Sequence, residues 1–356
     1  MSIERFVFGI VVGCLLCVLS YAFNPPKLVT VSEIDSTDKQ ASSVMLFIPL
    51  LWHYLSVDET DTHITAIARY MKEEANTTLL SKLYPRIITK NEALTSVGAV
   101  PLGVEQILFL HPSRILSWEH FSSKLKAINY QGLVTITTKE YENKSELFDI
   151  LGKITDKESR VQWLLQREQK QIHMIEQHIP HDTSYTSIIV LGNLRNFSMW
   201  NAKAIDFNDN LKRIHGVNLA ETMKASNASI NVETLIHYNP DVLFLPSYTD
   251  DLITPHDIYS DPKLISINAV KNHRVYLIPS GASRMEGPIE TPILLEWMAV
   301  LLHPELSSSF HLRETVRTTY NDVYGYNLSQ KEIDKLLHLK ENMQSAHYDI
   351  FQNHTR

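Results

Sequence analysis

The chain has 356 residues, 44% of them hydrophobic and 21% charged, with a formal net charge of -7. That length buries ample core and is enough for two domains. An acidic balance with no block of basic residues excludes nucleic acid as a partner.

The first five residues hold one Arg and one Glu, residues 6–19 form an uncharged apolar run, and Ser20-Tyr21-Ala22 is a small-x-small site before Pro25 and Pro26. This pattern predicts a secretory signal peptide over residues 1–22, cleaved after Ala22, because the run is too short to span a bilayer. Val11-Val12-Gly13 before Cys14 leaves lipid anchoring at Cys14 as the alternative. Both cysteines, Cys14 and Cys17, lie in this segment, so the mature chain carries no disulfide, thiolate metal site or cysteine nucleophile.

Residues 28–34 are read as a first strand, 35–43 as a loop, 44–57 as a helix containing Trp52, His53 and Tyr54, and 63–67 as a second strand. Residues 103–118 then give a helix, Pro112 and an apolar strand. The same unit returns 128 residues later at 231–247: Val104, Glu105, Ile107, Leu108 and Pro112 answer Val232, Glu233, Leu235, Ile236 and Pro240, and Ile115-Leu116 answer Leu243-Phe244. In both copies Pro ends the helix and a short apolar run follows, the pattern of a strand buried on both faces. A repeat at this distance is too long for a solenoid and reads as two α/β lobes with a cleft between them.

Residues 161–179 separate the two copies. Val161, Leu165, Ile172, Ile175 and Ile179 recur at three- and four-residue steps, with Glu168 as the one break and Pro180 as the stop. This predicts an amphipathic helix of about 19 residues, roughly 28 Å long, joining the lobes. Beyond it, 187–191 is expected as a strand, 192–200 as a polar and aromatic loop, and 206–215 as a helix capped by Gly216. Residues 261–270 are expected as a helix, 274–278 as a strand, 280–288 as a loop and 291–302 as a helix. A last helix starts at the capping box of Ser329 and Glu332, and after about residue 340 the polar sequence is expected to fray. The division is therefore a leader (1–22), an N-terminal lobe (23–157), a connecting helix (158–180), a C-terminal lobe (181–340) and a polar tail (341–356).

No G-x-S-x-G, P-loop, G-x-G-x-x-G or H-E-x-x-H motif is present, which argues against an enzyme. The 16 histidines are scattered. His173 and His178 do not share a helix face, and His111 and His237 precede their strands, so solvent-facing histidines are expected rather than a metal site. In open α/β lobes ligands gather beyond the carboxyl ends of strands. That rule selects Arg69 and Tyr70, Trp118 with His120, Lys139 and Tyr141, Arg195 through Trp200, Tyr248, and Arg284 with Glu286. His53 also comes within reach of the cleft. Aromatic faces stack on flat ligands and Arg pairs with carboxylates and oxyanions.

Leu83-Tyr84-Pro85, Val104-Glu105 before Pro112, Gly216-Val217-Asn218 and Asn231-Val232-Glu233 before Asn239-Pro240-Asp241 occur in the order and spacing of a known family. So do Asp261-Pro262, Ala269-Val270-Lys271-Asn272 before Arg274-Val275-Tyr276, Trp297-Met298-Ala299 before His303-Pro304-Glu305, and Tyr324-Gly325-Tyr326. The chain resembles the periplasmic substrate-binding proteins of ABC importers, in the class whose lobes are joined by one long helix. The resemblance covers most of the mature chain. It implies two Rossmann-like lobes with central parallel sheets, a ligand cleft between them, limited hinge motion and a periplasmic monomer. It further implies delivery of a small metal chelate to a permease in the inner membrane, without a resident cofactor or catalysis.

The expected ligand contacts are Arg69, Tyr70, Trp118, Arg195, Trp200, Tyr248 and Arg284. Family members dock through a carboxylate on each lobe; Glu286 and Glu290 match on the second, with Glu290 favoured. Residues 45–57 contain no Glu, so the first lobe has no match, and Arg284-Met285 stands where many relatives place a Trp. A ferric siderophore fits a cationic, aromatic cleft best. Molybdate or tungstate, haem and cobalamin are the sister readings, and a secreted α/β enzyme is the reading from another class.

Overall fold

The computed structural model describes residues 42–352, apart from 47, 94–103, 120–121, 181–185, 194–197, 201–206, 223–226, 230 and 248–251. The signal-peptide segment and the strand expected at 28–34 lie outside the described residues.

The first lobe is a five-stranded parallel sheet in the order β3-β2-β1-β4-β5. Its strands are β1 (Ser43–Met45), β2 (Ile64–Ala68), β3 (Asn91–Ala93), β4 (Arg114–Trp118) and β5 (Leu133–Ile136). In the second lobe β6 (Thr186–Asn193) pairs in parallel with β10 (Val242–Leu245), which pairs with β11 (Val275–Leu277). The first half of β6 also pairs in parallel with β8 (Gly216–Asn218). Its second half carries an antiparallel extension, β7 (Ser198–Trp200) and β9 (Asn227–Ser229).

The repeated unit has the same place in both lobes. Its strand lies beside β1 in one sheet, as β4, and beside β6 in the other, as β10. The residue before the proline is left-handed in both copies, His111 at φ +45° and Asn239 at +42°. A left-handed residue ends a helix because it turns the next peptide out of the helical path. Here that turn feeds the chain into the strand.

Alternation along each strand sorts side chains into separate cores. Val44, Ile115 and Leu133 face the outer helices of the first lobe, and Leu243, Leu245, Val275 and Leu277 those of the second. Met45, Leu116, Phe244 and Tyr276 all point into one central core shared by both lobes. The connecting helix, Glu158–Glu176, lies in that core against the Lys144–Thr155 helix of one lobe and the Gly287–Leu302 helix of the other. Its buried stripe is Val161, Leu164, Glu168 and Ile175. The break at Glu168 is explained by Lys144, whose Nζ lies 2.5 Å from Oε1, with the two side chains only 10% and 5% exposed. Arg160 pins the lobes at the start of the same helix. It donates to Ser56 O at 3.2 Å in the first lobe and to Val323 O at 2.7 Å in the second.

Several boundaries differ from expectation. Residues 43–45 are a strand and the helix that follows is Ile48–Asp58, so the apolar segment read as one helix is a strand and a helix joined at Leu46. An evenly apolar run has no period from which to place that break. The loop expected at 192–200 includes the end of β6 and all of β7. Gly216 begins β8, and His215, at φ +58°, is the left-handed residue after the Phe207–Arg213 helix. The helix expected at 261–270 is confined to Asn268–Lys271.

The tail is docked through residue 352. Asn342 is fully buried; its Oδ1 accepts from Leu277 N at 2.7 Å and its Nδ2 donates to Leu277 O at 3.0 Å. One side-chain amide thus satisfies both backbone groups of Leu277 on the edge strand β11, which would otherwise be open to pairing. Tyr348 and Phe351 are buried below it. Composition marks the tail as polar and does not reveal this amide pairing.

Lys144→Met should remove the buried cation paired with Glu168 and destabilise the fold, by up to about 3–5 kcal/mol. In urea melts the loss should shrink in the Lys144→Met/Glu168→Leu double variant. Glu296 supplies a second test. It is 4% exposed, and burial raises its carboxyl from 4.5 to about 7, while Thr315 and the His311 backbone pull it partly back. A carboxyl raised on folding holds its proton in the native state, so stability is lost as pH climbs from 4.5 through 7. Glu296→Gln should therefore gain relative to wild type at pH 8, by up to about 3 kcal/mol, and gain little at pH 4.5. Melting temperatures across that range read the difference.

Candidate functional site

All strands of the first sheet are parallel, so their carboxyl ends share one edge. Leu46 follows β1, Arg69 and Tyr70 follow β2, Trp118 ends β4, and Tyr141 follows β5 on the Thr138–Glu142 helix. That short helix is held by a full capping box between Thr137 and Glu140. The Tyr70 hydroxyl donates to Leu46 O at 3.2 Å, tying the ends of β1 and β2 together. Arg69 is exposed at the start of the Arg69–Thr77 helix. In the second lobe β11 is followed by residues 278–286, which lead to the Gly287–Leu302 helix.

The two edges meet. Tyr141 Oη donates to Glu286 Oε2 at 2.8 Å across the lobes. The Arg284 guanidinium lies 5.2 Å from the Trp52 ring centroid, over its face. Trp118 packs on Tyr141 at 5.1 Å and His53 on Phe148 at 5.4 Å. At Gly287 the lobes pack without room for a side chain, since a Cβ there would stand 2.7 Å from His53 Cε1. The result is an aromatic wall on the first lobe facing a cation and a carboxylate on the second.

His53 is 2% exposed, and its Nε2 has no hydrogen-bond partner. Burial, and then the nearby Lys144 charge, lower its pKa to about 3. A neutral imidazole suits this place, because it abuts the first turn of a helix, where backbone N–H groups carry partial positive charge. Trp52 Nε1 and Thr291 Oγ1 are likewise buried without a partner. Thr291 is one turn beyond Gly287 on the same helix. Three buried polar atoms on elements that border the seam thus have no hydrogen-bond partner.

Of the expected ligand contacts, the structure brings Trp118 and Arg284 into this seam and sets Arg69 and Tyr70 on the same edge. Arg195 and Tyr248 lie outside the described residues. Trp200 is part of β7, its backbone paired with Val190 and Asn227 rather than sitting in a loop. Glu290, favoured for permease docking, must be corrected. It is wholly buried, and its carboxylate accepts from Ala282 N, Ser283 N and Met285 N, so it cannot meet another protein. Glu286 is half-buried and turned toward Tyr141. Trp52 was missed because β1 was hidden inside an expected helix; a strand break at residue 46 would have put Trp52 close to a strand end.

Among the described residues, no three His, Cys, Asp or Glu side chains are grouped to hold a metal ion, and no helix is long and apolar enough to cross a membrane.

Two α/β lobes, one connecting helix and a polar-aromatic seam between carboxyl strand edges define a two-lobed solute-binding protein. Residues 88–282, more than half of the chain, match the family model described as periplasmic binding protein, and the chain belongs to that family. No curated protein matches it. Among solved structures it is similar to a periplasmic solute-binding protein from Veillonella parvula, with 25% identity, TM-score 0.71, and coverage of 85% of this chain and 93% of that one. It shares the fold of Helicobacter pylori CeuE, solved with Ni(II) bound, at 19% identity, TM-score 0.67 and coverage of 84% and 95%. The molybdate-binding protein MolA of Haemophilus influenzae also shares it, at 14% identity, TM-score 0.67 and coverage of 81% and 94%.

Gly287 sits at φ +72°, where an L side chain is strained. Gly287→Ala should destabilise the protein by at least about 1–2 kcal/mol, from strain plus overlap with His53. A double-mutant cycle with His53→Ala in urea melts should return a coupling between these positions.

Proposed function

We propose that this protein captures an iron complex of the ferric siderophore class between its lobes in the periplasm and delivers it to the permease of an ABC importer. The observation that carries the reading is the cation over an aromatic face, Arg284 on Trp52, beside Trp118 and Tyr141. An anionic aromatic chelate needs both a charge partner and a stacking surface. Trp52 Nε1 and His53 Nε2, both without a hydrogen-bond partner, are further polar atoms beside the same seam. The shared central core favours small lobe movements over wide opening, in keeping with capture by a largely preformed cleft.

The same donors suit an oxyanion such as molybdate or tungstate, which is the second reading. Haem and cobalamin are the remaining sister ligands. Arg69 and Tyr70, with Arg195, Trp200 and Tyr248, complete the proposed ligand contacts. Glu286 is the C-lobe carboxylate proposed to meet the permease. No catalytic role is assigned to any residue.

The test is a thermal-shift panel on the mature chain with ferric siderophores, haem, cobalamin, molybdate and free metal ions. A ligand at about 100 times its Kd stabilises the native state by about 2.7 kcal/mol, which raises the melting temperature by a readable few degrees. A shift with ferric chelates that is lost in Arg284→Ala supports the iron reading. A shift with molybdate, haem or cobalamin alone replaces it.

A further inference from the structure

Residues 280–286 have no regular structure, yet they carry Arg284 and Glu286 to the seam. Arg284, Met285 and Gly287 have φ of +55°, +62° and +72°. Two non-glycine residues in the left-handed region persist only where their surroundings hold them.

Glu290 does the holding. Its Oε1 accepts from Ala282 N at 2.7 Å. Its Oε2 accepts from Ser283 N at 2.9 Å, Ser283 Oγ at 2.7 Å and Met285 N at 3.0 Å. The Tyr320 hydroxyl donates to Oε1. A Cβ on Gly281 would fall 2.2 Å from Oε1, so the backbone wraps the carboxylate tightly. Residues 281–285 are thus an anion-binding nest whose anion is the protein's own side chain. Arg284 projects from the middle of that nest.

We propose that Glu290 is a positioning residue for ligand capture: its carboxylate fixes the nest conformation that presents Arg284 and Glu286 to the cleft. This rests on the interlobe reading of function for its ligand arm only. Glu290→Gln keeps the volume and replaces one acceptor oxygen with a donor that faces N–H groups. The loop loses its template, and Arg284 leaves Trp52.

Two readouts test this. The first needs no ligand. Trp52 emission, assigned with Trp52→Phe, should change in Arg284→Ala, change alike in Glu290→Gln, and change no further in the double variant. The second uses iron(III) tris-(2,3-dihydroxybenzoate) as the probe. Its Kd should rise by about tenfold or more in each single variant, with the double variant no weaker than the weaker single. Wild-type emission in Glu290→Gln, or additive changes in the double variant, overturns the proposal, because Glu290 would then not act through Arg284. Failure of the probe on the wild-type chain counts against the ligand reading alone, and the emission cycle still decides the positioning role. If Glu290→Gln does not fold, Glu290→Ala is melted in acetate and in chloride of equal ionic strength. Acetate should seat among the freed N–H groups and restore both the melting temperature and Trp52 emission. Equal behaviour in the two salts overturns the proposal.

Discussion

The Gly287–Leu302 helix is buried along its whole length, all 16 residues of it. A helix apolar on every side must be covered on every side. Here the connecting helix lies along one flank and the Leu312–Tyr324 helix along another. Trp297 packs against Phe244 and Tyr276 of the second sheet, and Gly287 against His53 of the first lobe. Because this one helix touches so much, the two lobes share a core and cannot be separated without exposing it. Its two acids must also be satisfied internally. Glu290 is met by backbone N–H groups, and Glu296 holds its proton up to about pH 7.

That constraint shapes what the seam can do. Parting the lobes widely would expose the apolar core they share, at a cost that grows with the area uncovered. Arg160 adds polar contacts from the connecting helix to both lobes at one end of the shared core. At the cleft end, contacts between the described residues of the two lobes include Tyr141 to Glu286 and Arg284 over Trp52. The histidine packed against Gly287 is neutral, so the charges that meet the first lobe's aromatic side chains there are those of Arg284 and Glu286.

Buried ionisable groups in this protein are stabilised in three different ways. Lys144 and Glu168 form a pair across two helices. Glu290 takes hydrogen bonds from a folded loop. His53 and Glu296 give up their charge. The choice follows from what each group can reach: Glu168 faces a lysine, Glu290 faces a turn rich in N–H groups, and Glu296 has one oxygen with no partner.

Patterns that recur in the chain were legible before any coordinates. The repeat at 103–118 and 231–247, the long amphipathic helix and the ordered short motifs determined two α/β lobes, their link and the family. These depend on local periodicity and on spacing, which the sequence carries directly. The strand Ser43–Met45 was not legible, because it and the helix after it are evenly apolar, whereas the strands expected at 63–67, 187–191 and 274–278 are present. Which acid was exposed was not legible either. Glu290 looks like a surface residue in a helix's first turn until residues 281–285 fold over it. Arg284 stood among the expected ligand contacts, but its place over Trp52 depends on residues 232 positions apart meeting across a seam. Only the tertiary structure decided these points, because burial and partnership are set by what packs against a residue, and that is long-range in the chain.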